Sequence, residues 1–170
     1  AGVPVMLNPA PATELDDELL SLVSWLIPNE QEASMETHLP LRTDAEGPLK
    51  SDLRNIAAKL WDKGVEHIVI TLGGHGAVVV KADGLTYIPC VSMRHVADPT
   101  AAGDSFVGAL AVGVTLGLSH AQALEFAAYT AALTVSRMGA MPSLPTLEEV
   151  LTLMRERGCQ APARLDVLKA

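Results

Sequence analysis

Basic residues are scarce in this 170-residue chain. Twelve Lys and Arg stand against twenty Asp and Glu, a formal net charge of -8. A face that holds nucleic acid or an anionic membrane needs the opposite balance, so neither partner is expected. Aromatic residues make up only 4% of the chain. The core must then be built from Ala, Val, Leu, Ile and Met, a palette that suits helices packed on a largely parallel sheet. Cysteine is limited to Cys90 and Cys159, too few for a disulfide framework and without the CxxC spacing of a metal ligand pair. Reduced structural thiols in a cytoplasmic protein are the expectation. No apolar run reaches membrane-spanning length, and residues 1–6 lack the basic start and long apolar core of a signal peptide.

What is present is apolar and alternating. Hydrophobic residues make up 49% of the chain, enough for one domain of ordinary size with a real core. A short apolar run at 3–7 predicts a strand, followed by the rigid turn Asn8-Pro-Ala-Pro-Ala12. It begins almost at once, so the chain is expected to start partway through a larger sheet. Thr13 can cap a helix over 14–23, whose acidic start suits the helix dipole. Residues 25–27 read as a second strand and 35–47 as a polar loop. Helical spacing over 48–63 ends at Gly64. The Ile-Val-Ile-Thr-Leu run at 67–72 is the clearest buried strand, and 77–81 with 85–89 form a hairpin turned at 82–84. Two Ala-rich helices follow, over 102–117 and 119–136. A last helix over 146–157 is acidic early and basic late, and the tail from 158 is expected to be peripheral. Strands alternating with helices predict an α/β fold, a mostly parallel sheet with helices on both faces. A ligand is then expected at the C-terminal ends of the strands; a generic Rossmann domain is the alternative.

The strongest chemical feature is Asp98-Pro-Thr-Ala-Ala-Gly-Asp104, a small-residue turn that runs directly into a long apolar helix. Such a turn offers unpaired backbone N–H groups and the positive end of the dipole to an anion. Ala101, Ala102 and Gly103 have little side chain to obstruct a phosphate. Asp104, in the same turn, could accept a proton from an attacking hydroxyl; the competing reading is that it only caps the helix. A helix start weakens a carboxylate as a base, but phosphoryl transfer depends more on positioning and charge neutralisation than on basicity.

Five stretches together carry a family resemblance: Asp98-x-Thr-Ala-Ala-Gly-Asp-x-Phe-x-Gly-Ala109, Leu7-Asn-Pro-Ala-Pro-Ala12, Pro28-Asn-Glu-x-Glu-Ala33, Ile70-Thr-Leu-Gly73 and Arg137-x-Gly-Ala-x-Pro-Ser143. Taken in their order along the chain they resemble the ribokinase-like (PfkB) carbohydrate kinases. The resemblance implies a three-layer αβα fold, over residues 1–158 with a 159–170 tail. It implies that the family's N-terminal sugar-contacting part and its lid are absent here, and that the protein forms a homodimer through that missing lid. It implies ATP-dependent phosphorylation of a sugar primary hydroxyl, with D-ribose the simplest acceptor. Asp104 matches the catalytic base, and Ala101, Ala102 and Gly103 the anion hole. Asn29 and Glu32 match a motif that helps hold Mg²⁺ and the phosphates, Glu32 partly through water. Thr71, Leu72, Gly73, Gly74, His75 and Gly76 match the segment lining the nucleotide, with Gly103 and Ala128 also near ATP. Asp98, Thr100, Thr134, Arg137, Gly139 and Ser143 match a K⁺ site. Pro99 departs from the residue types usual after Asp98. Another kinase of the same fold, acting on a different sugar or a nucleoside, and a non-catalytic nucleotide-binding module remain the alternatives.

Overall fold

A computed structural model of the chain describes residues 2–45 and 47–169. Ala1 and Ala170, at the ends of the expected 1–158 and 159–170 division, and Glu46 in the expected loop lie outside the described residues. The chain divides into two units, Ala1–Pro89 and Cys90–Ala170.

The first unit contains, in order, β1 (Met6–Leu7), α1 (Asp17–Leu20), β2 (Trp25–Leu26), α2 (Glu30–Thr37), β3 (Thr43–Asp44), β4 (Gly47–Pro48), α3 (Lys50–Asp62), β5 (His67–Thr71), β6 (Ala77–Lys81) and β7 (Gly84–Ile88). Five strands make one sheet in the order β1-β2-β5-β6-β7. The first three are parallel, with Trp25 opposite His67 and Leu26 opposite Ile68. The hairpin adds antiparallel pairings, Ile68 opposite Val80 and Ile70 opposite Val78, so the sheet is mixed. Alternation decides the faces: Leu26, Ile68, Ile70, Val78 and Val80 join a core with Leu20, Leu53, Ile56 and Leu60 from α1 and α3. Val69 and Val79, which point the other way, are buried too, as in a sheet covered on both sides.

Several expected boundaries move. The helix predicted over 14–23 shrinks to α1, with Asp16 rather than Thr13 at its cap position. The Leu15 N–H donates to a Glu36 carboxylate oxygen at 3.0 Å, which ties the stretch before α1 to α2. The predicted loop over 35–47 holds the end of α2 and the two-stranded β3–β4 hairpin, and Pro48 belongs to β4 rather than to α3. Arg42 fixes that hairpin to α3. Its backbone N–H and guanidinium donate three hydrogen bonds to Asp52, at 2.9, 2.9 and 2.7 Å.

The second unit is built from α4 (Ala102–Thr115), α5 (His120–Val135) and α6 (Leu147–Glu156). Ser119 with Gln122 and Thr146 with Glu149 form capping boxes that fix where α5 and α6 begin. Gly113 of α4 faces Ala123 of α5, where the two helices approach too closely for a side chain. The tail is not peripheral. Leu165 is fully buried, and the Arg164 guanidinium donates to the Leu116 and Gly117 carbonyls at 3.1 and 2.8 Å.

Candidate functional site

In the first unit the predicted residues gather at the C-terminal ends of β2 and β5. Asn29 follows β2 and makes a parallel bridge to Thr71, whose N–H donates to the Pro28 carbonyl at 2.9 Å. Asn29 is also the N-cap of α2. Its side-chain oxygen accepts the Glu32 N–H at 2.9 Å, while its own N–H donates to Glu32 Oε2 at 2.7 Å. The Asn-x-x-Glu motif is therefore a capping box, which holds the Glu32 carboxylate buried and oriented. Glu32 Oε1 has no partner among the described residues.

Beyond Thr71 the chain makes a tight 3₁₀ turn over Gly73–His75. The Leu72 N–H donates to the Gly76 carbonyl at 2.8 Å, closing the turn on itself. Gly73 (φ 52°) and Gly76 (φ 90°) are both left-handed, which explains glycine there. Space is open where side chains at Gly73 and Gly74 would stand, and His75 is exposed.

In the second unit the turn into α4 has the geometry expected of an anion grip. Its N-cap residue is Ala101, in left-handed conformation (φ 61°, ψ 8°), with no side-chain cap. A left-handed residue feeding a right-handed helix turns successive N–H groups toward one concavity. The Ser105 N–H returns to the Ala101 carbonyl at 2.9 Å, and the Ala102 N–H donates to the Pro99 carbonyl at 3.2 Å. The N–H groups of Ala101, Gly103 and Asp104 have no acceptor among the described residues. The space in front of Gly103 is open. Asp104 is exposed in the first turn of α4, and its carboxylate has no hydrogen-bond or ion-pair partner among the described residues. The capping alternative for Asp104 fails, because Ala101 holds the N-cap position.

Asp98 opens this turn. One of its carboxylate oxygens accepts the Thr100 N–H and the other the Gly139 N–H, both at 2.9 Å. Hydrogen bonds from Thr100, side chain first and backbone second, and then from Gly139 hold the Asp98 carboxyl below the usual range. The structure thus brings three of the six predicted cation ligands together. The remaining three are placed less directly. The Thr134 hydroxyl is fully buried, 3.0 Å from both Ser105 Oγ and the Thr130 carbonyl. Arg137 pairs through its guanidinium with Glu149, at 2.5 and 3.3 Å, and the carboxyl of Glu149 is pushed down to about 2, first by that guanidinium and then by the Thr146 N–H. Ser143 donates to the Ala140 carbonyl at 2.6 Å. Ala128 lies half-buried on α5. Among the described residues no group of three or more His, Cys, Asp or Glu could hold a metal, so cation ligation would fall to carbonyl and hydroxyl oxygens with single carboxylates.

Two contributors were not legible beforehand. Ser105 links the first turn of α4 to α5, and the Val135 carbonyl accepts the Ala97 and Asp98 N–H groups at 2.8 and 3.2 Å. A serine directly after Asp104, on an otherwise apolar helix face, was the available signal for the first. A main-chain carbonyl leaves none for the second.

An α/β protein with an open, amide-lined helix start beside a free carboxylate belongs to the class that can grip an anion and take up a proton next to it. The pfkB family carbohydrate kinase model matches residues 1–147, and the chain belongs to that family. It is 39% identical to a ribokinase of Schizosaccharomyces pombe, an alignment covering 88% of this chain and 46% of that protein. It is 37% identical to a ribokinase of Haemophilus influenzae, covering 90% and 48%. The solved structure of Arabidopsis thaliana ribokinase complexed with ribose and ATP superposes with a TM-score of 0.83 at 34% identity, covering 91% of this chain and 48% of that one. The fold class is accordingly the three-layer, mixed-sheet α/β fold of these kinases. The chain spans about half the length of the curated relatives it matches.

Proposed function

We propose that this chain is the nucleotide-binding, base-bearing part of a ribokinase, transferring the terminal phosphoryl group of ATP to a primary hydroxyl of D-ribose to give D-ribose 5-phosphate and ADP. The observation that carries this is the exposed, unpartnered Asp104 carboxylate at the mouth of an amide-lined turn. The ribokinase relatives at 37–39% identity supply the substrate class.

In this reading Asp104 accepts the proton of the sugar hydroxyl as its oxygen attacks phosphorus. The unpaired turn amides of Ala101, Gly103 and Asp104 neutralise the charge that develops on the migrating group, while the Ala102 N–H, expected in that set, is taken up by the Pro99 carbonyl. Asn29 and Thr71–Gly76 line the triphosphate and ribose of the nucleotide, with Ala128 near the adenine. One free carboxylate oxygen on Glu32 fits Mg²⁺, a hard cation that keeps most of its own waters. The oxygen-only set at Asp98, Thr100, Thr134, Arg137, Gly139 and Ser143, with a single carboxylate, fits K⁺. Bound, Mg²⁺ would offset the charge of the triphosphate and K⁺ would strengthen the field at the turn. The enzyme would work in the cytoplasm, with dimerisation left to segments outside this chain.

The test is Asp104→Asn in the complete protein, assayed for ATP-dependent phosphorylation of ribose, 2-deoxyribose and a nucleoside, with and without K⁺. Ribose should be the preferred acceptor. The variant should lose about 10²–10⁴-fold in kcat while still binding ATP. Undiminished turnover by Asp104→Asn would remove the carboxylate from the reaction.

A further inference from the structure

We propose that Ser105 and Thr134 are a positioning pair that holds the phosphate-gripping turn in register through a buried hydroxyl relay. This rests on the kinase reading above and adds to it two side chains that do not touch substrate.

The two hydroxyls face each other between α4 and α5, 3.0 Å apart, with Thr134 fully buried and Ser105 nearly so. Ser105 Oγ donates to the Ala102 carbonyl at 3.0 Å, inside the turn between left-handed Ala101 and Asp104. Thr134 Oγ1 in turn donates to Ser105 Oγ, with the Thr130 carbonyl as its second neighbour at 3.0 Å. Burying a hydroxyl is costly unless it is paired, and these two helices are otherwise Ala-rich and apolar where they meet. Alanine and valine would pack in their places. The hydroxyls therefore do something that packing does not: they fix the pitch of the first turn of α4, and with it the direction of the Gly103 and Asp104 amides and of the Asp104 carboxylate.

The same last turn of α5 also holds the other flank. The Val135 carbonyl accepts the Ala97 and Asp98 N–H groups, so residue 135 anchors the entry to the 98–104 turn and residue 134 anchors its exit. Thr134 matched the family's cation site. With its hydroxyl committed to the relay, its natural contribution there is the main-chain carbonyl, which a side-chain substitution leaves in place.

The experiment uses the complete protein and compares Ser105→Ala, Thr134→Val, Thr134→Ser and the double variant Ser105→Ala/Thr134→Val, each assayed well below its measured unfolding temperature. A misaimed catalytic group costs up to about a hundredfold, so each hydroxyl deletion should lower kcat by between about tenfold and a hundredfold while KM for ribose stays within about twofold. The double variant should be no slower than the slower single, because both deletions break one relay. Thr134→Ser, which keeps the hydroxyl, should restore kcat. The proposal is overturned if folded deletions keep kcat within about twofold of the parent, if their losses multiply, or if Thr134→Ser is as slow as Thr134→Val. Should Thr134→Val not fold, Ser105→Ala, which removes a single oxygen atom, decides. Asp104→Asn and the parent run beside them separate the two ideas: undiminished turnover by Asp104→Asn removes that carboxylate from the reaction, and a parent that phosphorylates no sugar at all defeats the kinase reading itself.

Discussion

Two glycines in α4 should respond to alanine with opposite signs. A Cβ built on Gly113 would lie 2.8 Å from Ala123 Cβ, 3.0 Å from Ala123 Cα and 3.3 Å from Leu118 Cδ1. The second of these is backbone, so α4 and α5 must move apart, and overpacking of this kind costs about 1–3 kcal/mol. Replacing a mid-helix glycine by alanine returns about 1 kcal/mol of helix propensity. The net expectation for Gly113→Ala is a loss of about 1 kcal/mol. Gly108, in the same helix, has nothing within 4 Å of where its Cβ would stand, so Gly108→Ala should gain about 0.5–1 kcal/mol. Urea unfolding of the two variants and the parent chain reads both. With a slope of about 1–3 kcal/mol per molar, the midpoints should move apart by roughly 1 M in opposite directions at an unchanged slope. Because propensity is common to both substitutions, their difference isolates the cost of contact with Ala123. Midpoints that shift together, in the same direction and by similar amounts, would refute the close approach of the helices.

Asp52 titrates at about 2, held down first by the Arg42 side chain and then by the Arg42 backbone N–H, against an ordinary value of 3.8. A carboxyl depressed on folding stabilises above its unfolded value and loses that contribution as pH falls toward the folded one. The stability gap between the parent and Asp52→Asn should therefore be constant near neutrality and close between pH about 4 and about 2, measured as urea midpoints; a gap that widens on acidification contradicts the Arg42 pairing. Leu165→Ala should cost about 2–5 kcal/mol in the same assay, because the side chain is fully buried; a neutral result means the tail is not docked. The thiols should label in two phases with a maleimide. Cys90, exposed and free, should react fast, and Cys159, half-buried and hydrogen-bonded to Tyr129 at 3.0 Å and Glu125 at 3.2 Å, slowly.

Elements with long apolar runs were legible. The unbroken runs at 68–70 and 77–80 placed β5 and β6 within a residue of their observed bounds, α4 and α5 followed from their Ala-rich apolar stretches, and α6 from its acidic start and basic end. The helix that escaped notice, α2, shows why the rest was not. Its sequence has no apolar stripe, because the side chains it buries include Glu32 and Glu36. Glu32 is satisfied by the Asn29 N–H and Glu36 by Lys63 at 2.9 Å and the Leu15 N–H, so carboxylates take the inward positions that periodicity assigns to leucine. Asp104 and the small residues before it were readable as a motif. That Asp104 stands clear of any capping duty depends on the backbone angles of Ala101, which no residue pattern discloses.

Alanine at the entry to α4 has a consequence of its own. An L-residue prefers to avoid left-handed angles by about 1–2 kcal/mol, and Ala101 adopts them where glycine would do so freely. Glycine would also have left the loop many other shapes before a nucleotide came, and the ligand would have had to freeze it. With alanine the bend is cast in advance: the fold holds the tension permanently, and under the proposed function a visiting phosphate would meet a finished mould.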